Sequence, residues 1–289
     1  MKIIAIAGSG GFIGSNVKKY FGNKYEIIQV NRTDFSDKYR LTRKLKEVDY
    51  IMNFTGTNLL KPWNKKNKQL FENSRIGTTA FLKNALYESG NKRLAAFINA
   101  SAIGIYSEEG IHDERSDNFA DNYLSWLIQE WEGSFFENSS NSDNSKSSYR
   151  KVAMRFGMVL DKNGGALKLM KKFFSFGVGG YIGNGNQPIS FIVMDDLVNS
   201  IQHVIQDDNL NGIVNVVAPS YTTNKELSKI LAYKMNRPCW PIPSFGVKVL
   251  FGSGSKIVLE GQRVIPQKLL NSGFKFKCNN IQEALDYLI

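Results

Sequence analysis

The sequence predicts a doubly wound α/β fold: a parallel sheet with helices on both faces, followed by a small C-terminal lobe. Three observations carry that expectation. Short apolar runs of buried-strand type alternate with helical patterns from the start of the chain to residue 160. The first run, residues 2–7, leads directly into Gly8-Ser9-Gly10-Gly11-Phe12-Ile13-Gly14 and then a helical pattern from Ser15 to Phe21. The last third differs in kind, with glycines crowding residues 164–185 and prolines at 238, 241 and 243.

In chain order, further strands are expected at 25–30, 49–54, 94–99, 151–160 and 212–217. Each is apolar throughout, as strands buried on both faces are. Helices are expected over 65–89, over 123–137 with an aromatic stripe, and over 281–288. The polar low-complexity stretch 138–148 reads as a surface loop. Residues 1–160 and about 190–218 are assigned to the sheet domain, and about 161–189 with 219–289 to the lobe.

A chain of 289 residues buries about three-quarters of its unfolded surface and needs no covalent staple. Apolar residues at 42% and charged residues at 22% exclude wholesale disorder. Cys239 and Cys278 lack a C-x-x-C spacing, and His112 and His203 stand alone, so neither a disulfide scaffold nor a metal site is expected. A reducing cytoplasm fits. No run approaches the ~18 apolar residues of a membrane span, and the first apolar run is too short for a secretion signal. The net charge of +11 invites a nucleic-acid reading. However, Lys61, Lys65, Lys66 and Lys68, and the second group Lys168, Lys171 and Lys172, belong to no recognisable module. A solvated lysine-rich surface is the plainer account, with attraction of a phosphorylated ligand between the two.

The glycine spacing gains meaning from its place between a strand and a helix. Gly8 permits the tight turn, Gly11 lets the backbone approach a pyrophosphate, and Gly14 lets the helix pack closely on the strand. The helix start, with Phe12 and Ile13, then offers free N–H groups to phosphate oxygens. After the second strand the chain has Asn31-Arg32 where an acid would hold a ribose 2′-hydroxyl. Arginine there suits a 2′-phosphate, so NADP(H) is expected in preference to NAD(H). Asp34-Phe35 could reach the adenine edge.

These residues, with Asn53-Phe54-Thr55-Gly56, Ser101 to Tyr106 and Arg155, make the chain resemble the extended short-chain dehydrogenase/reductases, the NAD(P)-dependent epimerase/dehydratase family. Asn163 to Leu167, Gly179 to Gln187, Ser190 to Asp196, Asn215 to Pro219 and above all Glu260 to Phe274 are similar to one epimerase-like subfamily with a C-terminal tail domain of unknown function. The resemblance implies a Rossmann-type domain, a substrate lobe and a dinucleotide between them. It implies that the glycine loop and Arg32 bind the cofactor, that Thr55 and Gly56 pass near its ribose and phosphates, and that Ser101 and Tyr106 lie near the nicotinamide.

The catalytic pattern of that family departs here. It uses Tyr-x-x-x-Lys on the helix after the serine strand, where the Lys helps a phenolate exchange a proton. This helix has Tyr123 with Leu127 four residues on, and the family register places Leu124 and Ile128 at the two positions. Tyr221 to Lys225 matches the spacing too late in the chain. Ser101, Tyr106 and Tyr123 are the remaining proton carriers, with Asp195-Asp196 read rather as the cap of the following helix. Two functions stay open. One is an oxidoreductase or epimerase acting on a small carbonyl or hydroxyl compound or a nucleotide sugar. The other is a non-catalytic dinucleotide-binding sensor or scaffold. Nucleic-acid binding ranks last.

Overall fold

The computed structural model describes residues 1–137 and 149–289, so the loop expected at 138–148 lies outside the described residues. The first half runs β1 (Ile3–Ala7), α1 (Phe12–Phe21), β2 (Glu26–Val30), α2 (Lys38–Leu45), β3 (Tyr50–Asn53), α3 (Lys65–Glu72), α4 (Thr78–Ser89), β4 (Ala96–Ala102), β5 (Ile111–His112), α5 (Tyr123–Phe136) and β6 (Arg150–Phe156). It continues through β7 (Met158–Leu160), α6 (Gly165–Ser175), β8 (Gly180–Ile182), β9 (Pro188–Ile189), β10 (Phe191–Val193), α7 (Met194–Gln206) and β11 (Gly212–Val216). The tail comprises β12 (Thr222–Thr223), α8 (Asn224–Lys234), β13 (Trp240–Ile242), α9 (Ser244–Phe251), α10 (Lys256–Leu259), β14 (Arg263–Val264), α11 (Gln267–Asn271) and α12 (Ile281–Leu288).

Six strands form one parallel sheet in the order β11-β6-β4-β3-β1-β2. The period-2 alternation of strand side chains sorts the core into two layers. Ile4 and Ile6 face Val17 and Phe21 of α1 and Leu197, Ile201 and Val204 of α7. Ala5, Ala7 and Ile51 face Leu41 and Leu45 of α2, Leu82 of α4 and Phe135 of α5. Both faces of the central strands are therefore dry, which explains why those strands read as mostly apolar runs, while the edge strand β2 keeps Glu26 and Gln29 exposed.

Two expected elements are divided. The helix foreseen over 65–89 is α3 and α4 joined by a π-helical turn over Asn73–Gly77. The strand foreseen over 151–160 breaks at Gly157, where a Cβ would stand 2.5 Å from the Ser190 carbonyl oxygen. Up to Phe156 the strand pairs with β4 and β11; beyond it, β7 pairs with β10.

A second core gathers Leu167 and Phe174 of α6, Phe191 and Val193 of β10, Leu227 and Leu231 of α8, and Ala284, Leu285 and Leu288 of α12. Leu269 of α11 and Phe274 turn back instead onto the main core beside Val214 and Val216. The tail thus serves both cores. Asp195 and Asp196 do not cap α7, which corrects the capping expectation: α7 begins at Met194 without a side-chain cap. Asp196, buried, accepts from the backbone N–H of Lys277 at 2.8 Å and of Cys278 at 3.1 Å. Asp195 binds Lys277 Nζ at 2.9 Å and the Tyr287 hydroxyl at 2.6 Å. The pair holds the tail against α7.

Candidate functional site

From β1 the chain goes to β2 on one side and afterwards to β3 on the other, which leaves a crevice at the carboxyl ends of β1 and β3. Gly8 stands there at φ +79°, and a Cβ on it would lie 2.7 Å from the Phe54 carbonyl group. Gly14 approaches as closely, since its Cβ would fall 2.2 Å from the Gly8 oxygen. The turn closes with Gly11 N–H donating to Gly8 O at 3.0 Å. Gly10 has open space, with nothing within 4 Å of a Cβ. No side chain caps α1 and its first turn carries no acid, so its leading N–H groups can meet an anion. The Phe12 ring is turned away onto Gly164 and Gly165, and Ile13 packs on the main core. What these two residues can offer a ligand is backbone.

Val30, the last residue of β2, lies beside Ala7, which brings Asn31 and Arg32 next to the glycine loop. Asn31 N–H donates to Asp34 Oδ2 at 2.6 Å. Asp34 is fully buried and also meets Arg40 Nε and Lys44 Nζ, each at 2.8 Å. Burial opposes its charge, but Lys44, the Asn31 N–H and Arg40 outweigh burial and hold the carboxyl below its ordinary value. With Asp34 so buried and occupied, the expectation that it reaches an adenine edge is corrected; Phe35 lies against Phe81 at a ring distance of 6.0 Å. Arg32 is exposed, and no acid among the described residues pairs with it.

At the end of β3, Thr55 Oγ1 donates to Asn53 Oδ1 at 2.6 Å and lies 2.8 Å from Thr78 Oγ1. Asn53 in turn donates to Asn99 Oδ1 at 2.7 Å and Thr79 Oγ1 at 3.1 Å. This buried chain explains two polar residues in otherwise apolar strands. Beneath Gly56 lies Arg75 from the π turn. Its Nη2 donates to Thr57 O at 3.1 Å, and its guanidinium sits 5.4 Å from the Trp131 ring centre. Nη1 is buried and has no hydrogen-bond partner.

Ser101 and Tyr106 come together at the ends of β4 and β6, in a sealed network. Ser101 Oγ donates to Glu132 Oε1 at 2.5 Å. Arg155 grips the same carboxylate through Nε at 2.8 Å and Nη2 at 2.6 Å, and its Nη1 donates to the Tyr106 hydroxyl at 2.7 Å. That hydroxyl also faces Asn215 Oδ1 at 2.9 Å and Asp113 O at 3.0 Å. Tyr106 has no exposed surface, and burial pushes its pKa up against the pull of Arg155. In this arrangement both hydroxyls are engaged by protein groups rather than presented at the surface. Tyr123 stands apart, half-buried, with Trp63 and Trp126 beside its ring and its hydroxyl 3.1 Å from Glu72 Oε1. Burial and Glu72 hold that phenol protonated well above its ordinary range. Leu124 and Ile128 pack on the turn Ile103–Ile105, against Gly104.

Sequence reasoning missed Glu132 and Arg75. Glu132 shares a helix face with buried Ile128 and Phe135, and a carboxylate on such a face was the available signal. Arg75 gave none, because a uniform α-helix through 65–89 puts it on an ordinary helical face.

The parallel sheet with an uncapped glycine turn at its switch point defines a Rossmann-like, nucleotide-binding class of protein. Residues 4–123 match the NAD dependent epimerase/dehydratase family, and residues 242–288 match a domain of unknown function, DUF1731. An epimerase family protein of Mycobacterium leprae is 34% identical over 99% of this chain and 95% of its own length. An Arabidopsis thaliana protein described as a chloroplastic SDR39U1 homolog of the epimerase family is 35% identical over 81% of this chain and 67% of its own. The crystal structure of human epimerase family protein SDR39U1 with NADPH is similar at a TM-score of 0.88 and 27% identity, covering 99% of this chain and 98% of that one. The chain belongs to the NAD dependent epimerase/dehydratase family. Among the described residues no helix is long and apolar enough to cross a membrane.

Proposed function

We propose that this chain is an NADP(H)-binding, epimerase/dehydratase-like oxidoreductase acting on a small carbonyl or hydroxyl compound or a nucleotide sugar. One observation carries the cofactor preference. Arg32 is exposed and without an acid partner among the described residues at the end of β2, while the nearest acid, Asp34, is buried and occupied by Lys44 and Arg40. A guanidinium there meets a 2′-phosphate, and no free carboxylate is left to hold a 2′-hydroxyl. The NADPH of the human relative supports the same reading. When bound, the nicotinamide supplies hydride exchange. The chain's own part is to receive the pyrophosphate on the N–H groups at the start of α1, and to keep the wall behind the nicotinamide fixed through Ser101, Glu132, Arg155 and Tyr106. Tyr123 is the one phenol of the set that reaches partly exposed surface, and with its hydroxyl on Glu72 and its pKa raised it serves to position a ligand rather than to exchange a proton. The free thiols of Cys239 and Cys278 fit a reducing compartment, and we assign the protein to the cytoplasm.

A second reading has its own observation. With the Ser101 and Tyr106 hydroxyls sealed and Leu124 and Ile128 apolar, the site also suits an NADP(H) sensor without turnover. Thermal melts with each dinucleotide test the cofactor assignment. NADPH is expected to raise the melting temperature more than NADH, and Arg32→Glu to reverse the order; equal shifts overturn it. Consumption of NADPH across a panel of carbonyl compounds separates enzyme from sensor.

A further inference from the structure

Arg75 is a half-buried cation whose buried Nη1 the fold itself does not satisfy. It lies in the π turn Asn73–Gly77, a helical irregularity that recurs at functional sites. Its guanidinium is wedged between the backbone at Gly56, 3.1 Å from a Cβ placed there, and the face of Trp131. Nη2 has the Thr57 carbonyl, and Nη1 has nothing. No acid among the described residues pairs with it; the titratable group that acts on it is the Tyr123 phenol, itself engaged by Glu72. Burial pulls its pKa down to about 10, the mark of a charge left without compensation. A buried donor without an acceptor is costly, and the cost is relieved if a ligand brings the acceptor.

The sheet order says which ligand atoms those are. Arg32 marks the 2′-phosphate side at the end of β2, and the glycine loop the pyrophosphate at the end of β1. The next strand outward is β3, whose end carries Thr55 and Gly56 above Arg75. A dinucleotide laid across the strand ends with its adenine side on β2 has its other half over β3 and β4.

Resting on the cofactor reading above, we propose that Arg75 is a binding group for the nicotinamide half of the dinucleotide, donating through Nη1 to a phosphate or ribose oxygen there. Thr55, linked to Thr78 and Asn53, stands on the same floor as a second polar contact.

Titration calorimetry with two ligands tests this. Adenosine 2′,5′-bisphosphate carries the 2′-phosphate and lacks the nicotinamide half; NADPH has both. Arg75→Gln is expected to weaken NADPH about tenfold or more while leaving the bisphosphate within about twofold of wild type. Arg75→Lys, which keeps the charge, is expected to recover part of the NADPH loss; should Arg75→Gln fail to fold, this variant decides alone by weakening NADPH and sparing the bisphosphate. Unchanged NADPH affinity overturns the proposal. So does an equal loss for both ligands with a lowered melting temperature, since Arg75 then only holds the Thr55 to Thr57 turn. Failure of the wild-type protein to bind the bisphosphate defeats the cofactor reading itself, and the inference with it.

Discussion

Two arginines lie near the carboxyl edge of the sheet, Arg155 buried and Arg75 half-buried, and the fold treats them differently. Arg155, on β6, has both oxygens of Glu132, the Tyr106 hydroxyl and the Tyr106 ring around it. Arg75, in the π turn, has one carbonyl, one aromatic face and a bare Nη1. A buried charge whose donors are all met belongs to the architecture, whereas one left short belongs to whatever comes to meet it. The ends of β4 and β6 are therefore closed ground, and the ends of β1, β2 and β3 are ground kept open.

The largest expected effect separates the two directly. Glu132→Ala leaves Arg155 and Ser101 without their shared acceptor and should cost about 3–5 kcal/mol in chemical denaturation. Arg75→Met removes a charge that nothing opposes and should change stability by no more than about 1 kcal/mol. Equal losses would dissolve the distinction. A smaller effect sharpens it. Tyr106→Phe strips the hydroxyl from Arg155 and Asn215 and should cost about 1–2 kcal/mol, while NADPH affinity is expected to stay the same because the phenol is fully buried. Gly10→Ala is the mirror image: the added methyl meets no protein atom, so stability holds, and a loss of NADPH affinity reports how near the phosphates pass.

The smallest effect is a pH signature at the base of the open ground. Asp34 has a folded pKa below its unfolded one, so its stabilisation is complete above the unfolded value of about 3.9 and is lost as pH falls from there toward the folded value. Asp34→Asn should flatten the acid limb of the stability profile in that window and leave its shape at neutral pH unaltered. An unchanged acid limb would mean that Lys44 and Arg40 do not hold the carboxylate in solution.

Features whose physics is local could be read in the sequence. The glycine loop announces itself because Gly8 and Gly14 satisfy steric demands within six residues of each other, and the sheet strands do so because burial on both faces leaves an unbroken apolar run. Where partners are distant, local reading fails. Phe156 and Met158 look like one strand, yet Gly157 passes the chain from β4 to β10, a change of partner invisible in an apolar run. Asp195 and Asp196 have the local look of a helix cap, while their actual partners lie more than 80 residues on. Ser101 and Tyr106 were foreseen at the right end of the sheet, but Glu132, which decides what they do, stands on another element.

The tether between Asp196 and residues 277 and 278 has a consequence for synthesis. Asp196 is buried in the native fold and receives its hydrogen bonds from backbone made 81 residues later. Leu269, Phe274 and Leu285, made in the same late stretch, complete the two main cores. A nascent chain emerging at about 5–20 residues per second would thus hold a largely assembled sheet with an uncompensated carboxylate on α7 and two unfinished apolar seams for several seconds. For that interval the apolar seams that Leu269, Phe274 and Leu285 cover in the native fold stay exposed.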